Sequence, residues 1–166
     1  IRSVTRSNNA YAWTGHADVN RSYTSNGLNQ HMQAGAKTFT YDGRGNLTGD
    51  GAVTFGYSAE NMLTSAGGTA SATLSYDPLG RLTQLTSGSN VRRLGYDGLD
   101  RIAEYDGSNT VLRRYIHGPG LDNPIAWYEG SGTSLRRFLN SDERGSVIAV
   151  TDSSGAVLAR NSYDDY

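Results

Sequence analysis

The chain alternates apolar with small or polar residues over short stretches, breaks off, and starts again. Val53, Phe55 and Tyr57 are separated by Thr54 and Gly56, and Ala72, Leu74 and Tyr76 by Thr73 and Ser75. A period of two puts every second side chain on the same face of an extended strand, so each stretch predicts a strand with one apolar face. Clusters of Gly, Asn, Asp, Ser and Thr separate the stretches, and Leu-, Ala- or Glu-rich runs are few. The pattern predicts an all-β, turn-dense chain.

The breaks share a frame. Phe39-Thr-Tyr41-Asp42-Gly-Arg-Gly45-Asn-Leu47 aligns without gaps with Phe55-Gly-Tyr57-Ser58-Ala-Glu-Asn61-Met-Leu63. Leu74-Ser-Tyr76-Asp77-Pro-Leu-Gly80-Arg-Leu82 and Leu94-Gly-Tyr96-Asp97-Gly-Leu-Asp100-Arg-Ile102 follow the same frame. Successive Tyr stand 16, 19 and 20 residues apart, which suits a strand, a tight turn and a return strand. An array of antiparallel β-hairpins follows, each unit needing its neighbours to bury its apolar side. Tyr105-Asp106 and Tyr163-Asp164 repeat the pair downstream.

Each position has a role in such a hairpin. The Tyr ends the apolar row, the Asp accepts hydrogen bonds from turn amides, and Pro78 presets φ for a turn. Gly45 and Gly80 take the left-handed conformation that closes the loop, and Asn61 and Asp100, which tolerate positive φ, stand in for that Gly. A catalytic residue is needed once, whereas a residue required by hairpin geometry recurs in every hairpin. Tyr41, Asp42, Gly45, Tyr57, Tyr76, Asp77, Gly80, Tyr96, Asp97, Tyr163 and Asp164 are therefore read as architecture.

Residues 1–35 are less periodic and form a looser β and loop lead-in. Tyr11, Trp13 and the Asn26-Gly27 turn signal suggest short strands there, while Asn8-Asn9 and Gln30 to Gly35 read as loops. Residues 36–166 form the array, as one continuous domain or fragment. Arg92-Arg93, Arg113-Arg114 and Arg136-Arg137 each precede an apolar or aromatic cluster. In a strand only one of each pair faces outward, so the other needs a carboxylate, a carbonyl or a water.

The 15 basic and 16 acidic residues leave a net charge of -1, which makes no electrostatic case for nucleic acid or an anionic membrane. There is no cysteine, hence no disulfide framework and no thiolate chemistry. The longest apolar runs, Val147 to Val150 and Ile125 to Tyr128, fall far short of the roughly 20 residues that span a bilayer. No signal peptide opens the sequence, and Ile1 stands first, which fits a fragment whose targeting signal lies elsewhere.

Tyr76-Asp-Pro-Leu-Gly-Arg-Leu82 resembles the YD repeat of RHS-repeat proteins, a family that includes wall-associated and polymorphic-toxin proteins of bacteria. The tail adds specificity. Tyr115-Ile-His-Gly-Pro-Gly120, Pro124-Ile-Ala-Trp-Tyr128, Arg136-Arg-Phe-Leu-Asn-Ser-Asp-Glu-Arg-Gly-Ser-Val147, Asp152-x-x-Gly155 and Tyr163-Asp164 come in the order of the closing segment of an RHS core. The likeness covers residues 36 to 166, and Ala10 to Gln30 more loosely. It implies antiparallel β-ribbons spiralling into a hollow shell around a C-terminal toxin or variable domain, and secretion or surface display within a larger polypeptide. The implied partners are the remainder of that polypeptide and the enclosed domain, with self-association through open strand edges. Asn140 stands where many relatives have His, and Ser58 where the repeat has Asp. The sequence stops before the aspartate-bearing segment that performs self-cleavage in many toxin-bearing members, so no autoproteolysis is expected, and Asp77-Pro78 is not that site.

Enzyme signatures are not found. His16, His31 and His117 are scattered singly, without zinc-ligand spacing. Asp106-Gly-Ser-Asn109 and the loops between Asp42 and Asp50 follow no calcium-loop order and read as turns. Gly43-x-Gly45 lacks the third Gly of a dinucleotide fingerprint, and Ser146 is not in a Gly-x-Ser-x-Gly elbow. Asp164 and Asp165, adjacent in a strand-like tail, point apart and make a poor acid/base pair. No cofactor and no metal are expected. The alternative to a structural shell is a carbohydrate-binding surface, with Trp13, Trp127 and Tyr128 stacking on sugar rings and Asp and Asn meeting hydroxyls.

Overall fold

The computed structural model describes residues 9–13, 15, 20–120 and 123–163; His16, Asp164 and Asp165 lie outside the described residues. Within them the regular structure is β throughout, apart from a 3-10 turn at Asn9–Tyr11, and the strand pairing is antiparallel.

The chain divides into two compact units. One comprises Val19–Leu94 and Tyr105–Asn109. It holds a three-stranded sheet of β1 (Tyr23–Ser25), β2 (His31–Ala34) and β3 (Lys37–Thr38). A meander follows through β4 (Thr40–Tyr41), β5 (Leu47–Gly49), β6 (Val53–Tyr57), β7 (Leu63–Gly68), β8 (Ala72–Tyr76), β9 (Leu82–Ser87) and the first half of β10 (Asn90–Asp97). The other unit comprises Ile1–Asp18, Gly95–Glu104 and Thr110–Tyr166. It holds most of β11 (Asp100–Asp106), then β12 (Val111–His117), β13 (Pro124–Glu129), β14 (Arg136–Ser141), β15 (Val147–Thr151) and β16 (Val157–Arg160), again paired in chain order.

Gln30 to Gly35, expected as a loop, contains β2. Only Met32 and Ala34 alternate with polar residues there, too short a run to stand out, and pairing to β1 on one side and β3 on the other makes it a strand. The Asn26-Gly27 signal is a hairpin turn, as expected.

One loop recurs. At Asp77 the Leu79 and Arg81 amides donate to the carboxylate Oδ1, at 2.9 Å each, while the Asp77 amide donates to the Arg81 carbonyl and the Gly80 amide to the Asp77 carbonyl. Gly80, at φ 78°, lies in the left-handed region that closes the turn. The same four bonds form around Asp42, Asp142 and Asp152, around Ser58 with Asn61 at φ 63°, and around Asn26 with Asn29 at φ 59°. Around Asp106 the Ser108 amide likewise donates to the carboxylate and the Asn109 amide to the Asp106 carbonyl, with Asn109 at φ 64°. The fourth sequence unit departs from the frame. β10 runs through Asp97, β11 starts at Asp100, and only Gly98 and Leu99 connect them. Gly98 takes the positive φ, at 58°, so Asp100 does not replace the loop Gly and sits in a strand instead.

The register explains the aliphatic residue six positions after each Tyr. Tyr41 pairs with Leu47, Tyr57 with Leu63 and Tyr76 with Leu82, and Ser25 with His31, Ser141 with Val147 and Thr151 with Val157 do the same. In each pair the register shifts by a residue at that step, a bulge that strengthens the local twist. Tyr hydroxyls add a bond between hairpins: Tyr41 donates to the His31 carbonyl, Tyr76 to Leu63 and Tyr163 to Val147, each at 2.8 Å. Each of those carbonyls belongs to the residue that opens the return strand after an earlier loop.

The core is thin. Among the described residues no large side chain is fully buried, and the buried apolar ones are Ala34, Ala103, Ala126 and Ala149. The strands touch chiefly their neighbours in the sheet. Loop geometry and the pairing ladder therefore carry much of what packing carries in a two-layer domain.

The loop carboxylates make this architecture acid-sensitive. The Asp77 carboxyl is held below its ordinary value first by the Arg81 amide, and that of Asp152 first by the Ser154 hydroxyl. The side-chain amide of Asn46 does most for Asp42. A carboxyl depressed in the folded state adds stability above its unfolded pKa, and that stability is lost as pH falls through the folded value. The melting temperature is expected to drop steadily below about pH 4, and Asp77→Asn, which keeps the acceptor and loses the charge, to lessen that drop. A melting temperature independent of pH from neutrality into the acid range, followed by circular dichroism, is the contrary result.

Candidate functional site

Adjacent residues of a strand face opposite ways, so β12 sends Arg113 and Tyr115 to one side and Arg114 and Ile116 to the other. Cross-strand pairing extends both sets. Arg113 lies opposite Glu129 and Tyr115 opposite Trp127, while Arg114 lies opposite Tyr128 and Ile116 opposite Ala126. The Arg113-Arg114 pair is thus split between faces, as its sequence requires.

The first face carries a network of charges and rings. Glu104 of β11 is the one polar or charged residue buried among the described residues, at 3 % exposure. Its Oε1 accepts from the Tyr115 hydroxyl at 2.6 Å and lies 3.5 Å from the Arg101 guanidinium, and its Oε2 is 3.8 Å from Arg113. Arg113 Nε also donates to Glu129 Oε2 at 3.3 Å, and Trp127 Nε1 donates to Glu129 Oε1 at 2.8 Å. The guanidinium of Arg101 lies over the Tyr115 ring at 4.7 Å, and that of Arg113 over Trp127 at 5.6 Å. Burial, reinforced by the bond to Glu104, pushes the Tyr115 phenol up from its ordinary value. Both carboxylates are engaged by guanidinium and by a ring donor. The cluster ties β11, β12 and β13 together.

Beside this network Tyr96, Leu99, Arg101, Tyr115, His117 and Pro124 line a shallow recess of about 280 Å³. His31 shares a contact of 3.3 Å with the Ser25 hydroxyl and packs on Tyr23. Among the described residues no group of three His, Cys, Asp or Glu is placed to hold a metal ion.

The residues singled out in the sequence fall into two sets. Tyr41, Tyr57 and Tyr76 end β4, β6 and β8, Asp42, Gly45, Asp77 and Gly80 sit in the hairpin loops that follow β4 and β8, Tyr96 and Asp97 in β10, and Tyr163 beyond β16. Of these, Tyr76, Asp77 and Gly80 line one open recess of about 610 Å³ together with Glu60 and Met62. The three aromatic candidates for sugar stacking are not assembled on one surface. Trp127 and Tyr128 are neighbours in β13 and point to opposite faces; Arg113 lies over the first ring and Arg114 and Arg136 over the second. Trp13 is exposed in the segment before β1. Glu104 and Glu129 escaped sequence reasoning, although a Glu inside the strand pattern Ile102 to Tyr105, one strand before the Arg113-Arg114 pair, is the kind of signal that marks a buried partner.

No family model matches the chain, and no curated protein matches it.

Proposed function

We propose that the chain is a non-enzymatic wall segment of a large bacterial protein of the RHS/YD-repeat kind, secreted or displayed at the cell surface. In this reading an array of hairpins forms part of a spiralling β-sheet shell that encloses or presents a C-terminal toxin or variable domain. Its partners are the rest of its own polypeptide and that domain. The observation that carries the reading is the recurrence of one loop, with one cross-strand pairing at its mouth, from Asn26 to Asp152. Strands that touch chiefly their sheet neighbours and bury no large side chain suit a wall that grows hairpin by hairpin, with stability summed over adjacent units. The order of motifs from Tyr115 to Tyr163 supplies the link to the closing part of an RHS core.

Strand edges left without partners pair with other edges. Sedimentation of the isolated chain is expected to show association that grows with concentration. A compact monomer at every concentration reached would sink the wall-segment reading.

A further inference from the structure

The second face of β12–β14 differs from the first in how its charges are balanced. Arg114, Tyr128 and Arg136 lie side by side across three strands, with the Arg114 guanidinium 5.5 Å and the Arg136 guanidinium 5.8 Å from the Tyr128 ring. Arg136 also lies over Phe138, at 5.5 Å. On the first face Arg101 and Arg113 are matched by Glu104 and Glu129. On the second, neither Arg114 nor Arg136 has a carboxylate partner among the described residues. Carbonyls of Ser131 and Gly132 accept from Arg114 and hold it in place, and its Nε is buried with no acceptor.

The next row across the same face is apolar apart from Thr151, with Ala126 in it buried. Ile116, Ala126, Phe138, Thr151 and Val157 are paired in turn from β12 to β16, and Ile116 and Val157 are 40 % and 42 % exposed. A cationic row thus runs beside an apolar row on one side of the sheet. Burying exposed aliphatic surface is favourable, and a carboxylate laid against a planar, pre-positioned guanidinium makes the stronger kind of hydrogen bond.

We propose that this face is a docking surface for an extended polypeptide segment in which acidic residues alternate with aliphatic ones. Two strand spacings separate Arg114 from Arg136, about 10 Å, and both guanidiniums lie over the one Tyr128 ring between them. In an extended segment laid across the strands between the two rows, alternate side chains turn to opposite sides, so carboxylates two residues apart, about 7 Å, reach the guanidiniums while the aliphatic side chains cover the row from Ile116 to Val157. A nucleic acid fits less well, because the net charge of -1 offers no long-range attraction for a polyanion and the apolar row has no counterpart in a phosphate backbone. The inference stands on this face alone and does not depend on the shell reading.

The test titrates the intact chain with three fluorescent probes: an Asp/Ile-alternating peptide, its Asn/Ile counterpart, and a single-stranded oligonucleotide. Saturable binding of the Asp/Ile peptide is expected, with little for the other two. Arg136→Gln should weaken that binding about tenfold, the scale of one charge-assisted hydrogen bond. Arg136→Lys, which keeps the charge and loses the planar fork, should fall between. Arg136 is exposed, so circular dichroism should show both variants folded. The proposal is overturned if the Asp/Ile peptide does not bind, if the oligonucleotide or the Asn/Ile peptide binds equally well, or if Arg136→Gln leaves the affinity unchanged. An equal loss on Arg44→Gln, in the other unit, would show diffuse charge attraction and overturn it as well.

Discussion

Glu104→Ala is expected to destabilise the unit that contains β11–β16 by about 3 kcal/mol, near the lower end of the cost of breaking a buried ion pair. The carboxylate is almost wholly buried and serves three partners, so its loss strips Tyr115 of its hydrogen-bond acceptor and leaves Arg101 and Arg113 without their shared counter-charge. The lower end applies because both guanidiniums are partly exposed and recover water. Glu104→Gln keeps the volume and an acceptor for the phenol while losing the charge, and should cost about 1.5 kcal/mol, the lower end of the scale of a hydrogen bond to a charged group. Urea unfolding followed by near-ultraviolet circular dichroism, which reports on Trp127 and Tyr115, separates the two variants. If Glu104→Ala unfolds at the same urea concentration as the wild type, the network does not hold the three strands together.

How far the sequence carried depends on whether an interaction is local. The loops at Asp42, Ser58 and Asp77 were legible because all four of their hydrogen bonds fall within five consecutive residues, and the cross-loop partner, Leu47, Leu63 or Leu82, stands at a fixed offset. The Tyr in the frame drew attention away from the residue that does the turning. Asn26, Asp142 and Asp152 make the same loop after Ser25, Ser141 and Thr151, so the acceptor side chain and the left-handed position three residues later are what the loop requires. Asp97 shows the converse. Tyr96-Asp97 satisfies the frame, but Gly98 offers a shorter left-handed turn and the strand runs on through the Asp. The Glu104 and Glu129 network was not legible, since its partners lie up to 16 residues apart on three strands. β2 was missed for a related reason: Met32 and Ala34 are too short an alternation to signal a strand, and pairing on both edges makes His31–Ala34 one.

Gly68→Ala is the substitution expected to damage the other unit most, because two costs coincide there. Gly68 ends β7 at φ 94°, a conformation that costs an L-residue about 1–2 kcal/mol. A Cβ at this position would also fall well inside contact distance of the Ala52 carbonyl oxygen and close to the Ala52 and Val53 backbone. That oxygen cannot retreat freely, since it accepts the Thr69 amide at 3.1 Å, and Val53 is paired to Gly68 across the strands. Overpacking against backbone adds about 1–3 kcal/mol, for a combined loss of about 3 kcal/mol. Gly145 is the control. It has a similar φ of 86°, but a Cβ there meets nothing within 4 Å, so Gly145→Ala should lose only the backbone part, about 1 kcal/mol. The comparison is between denaturation midpoints at constant m-value. Equal losses at the two positions would mean that φ alone sets the cost and that the Ala52–Val53 backbone moves aside, contrary to a β6–β7 hairpin held rigidly at both ends.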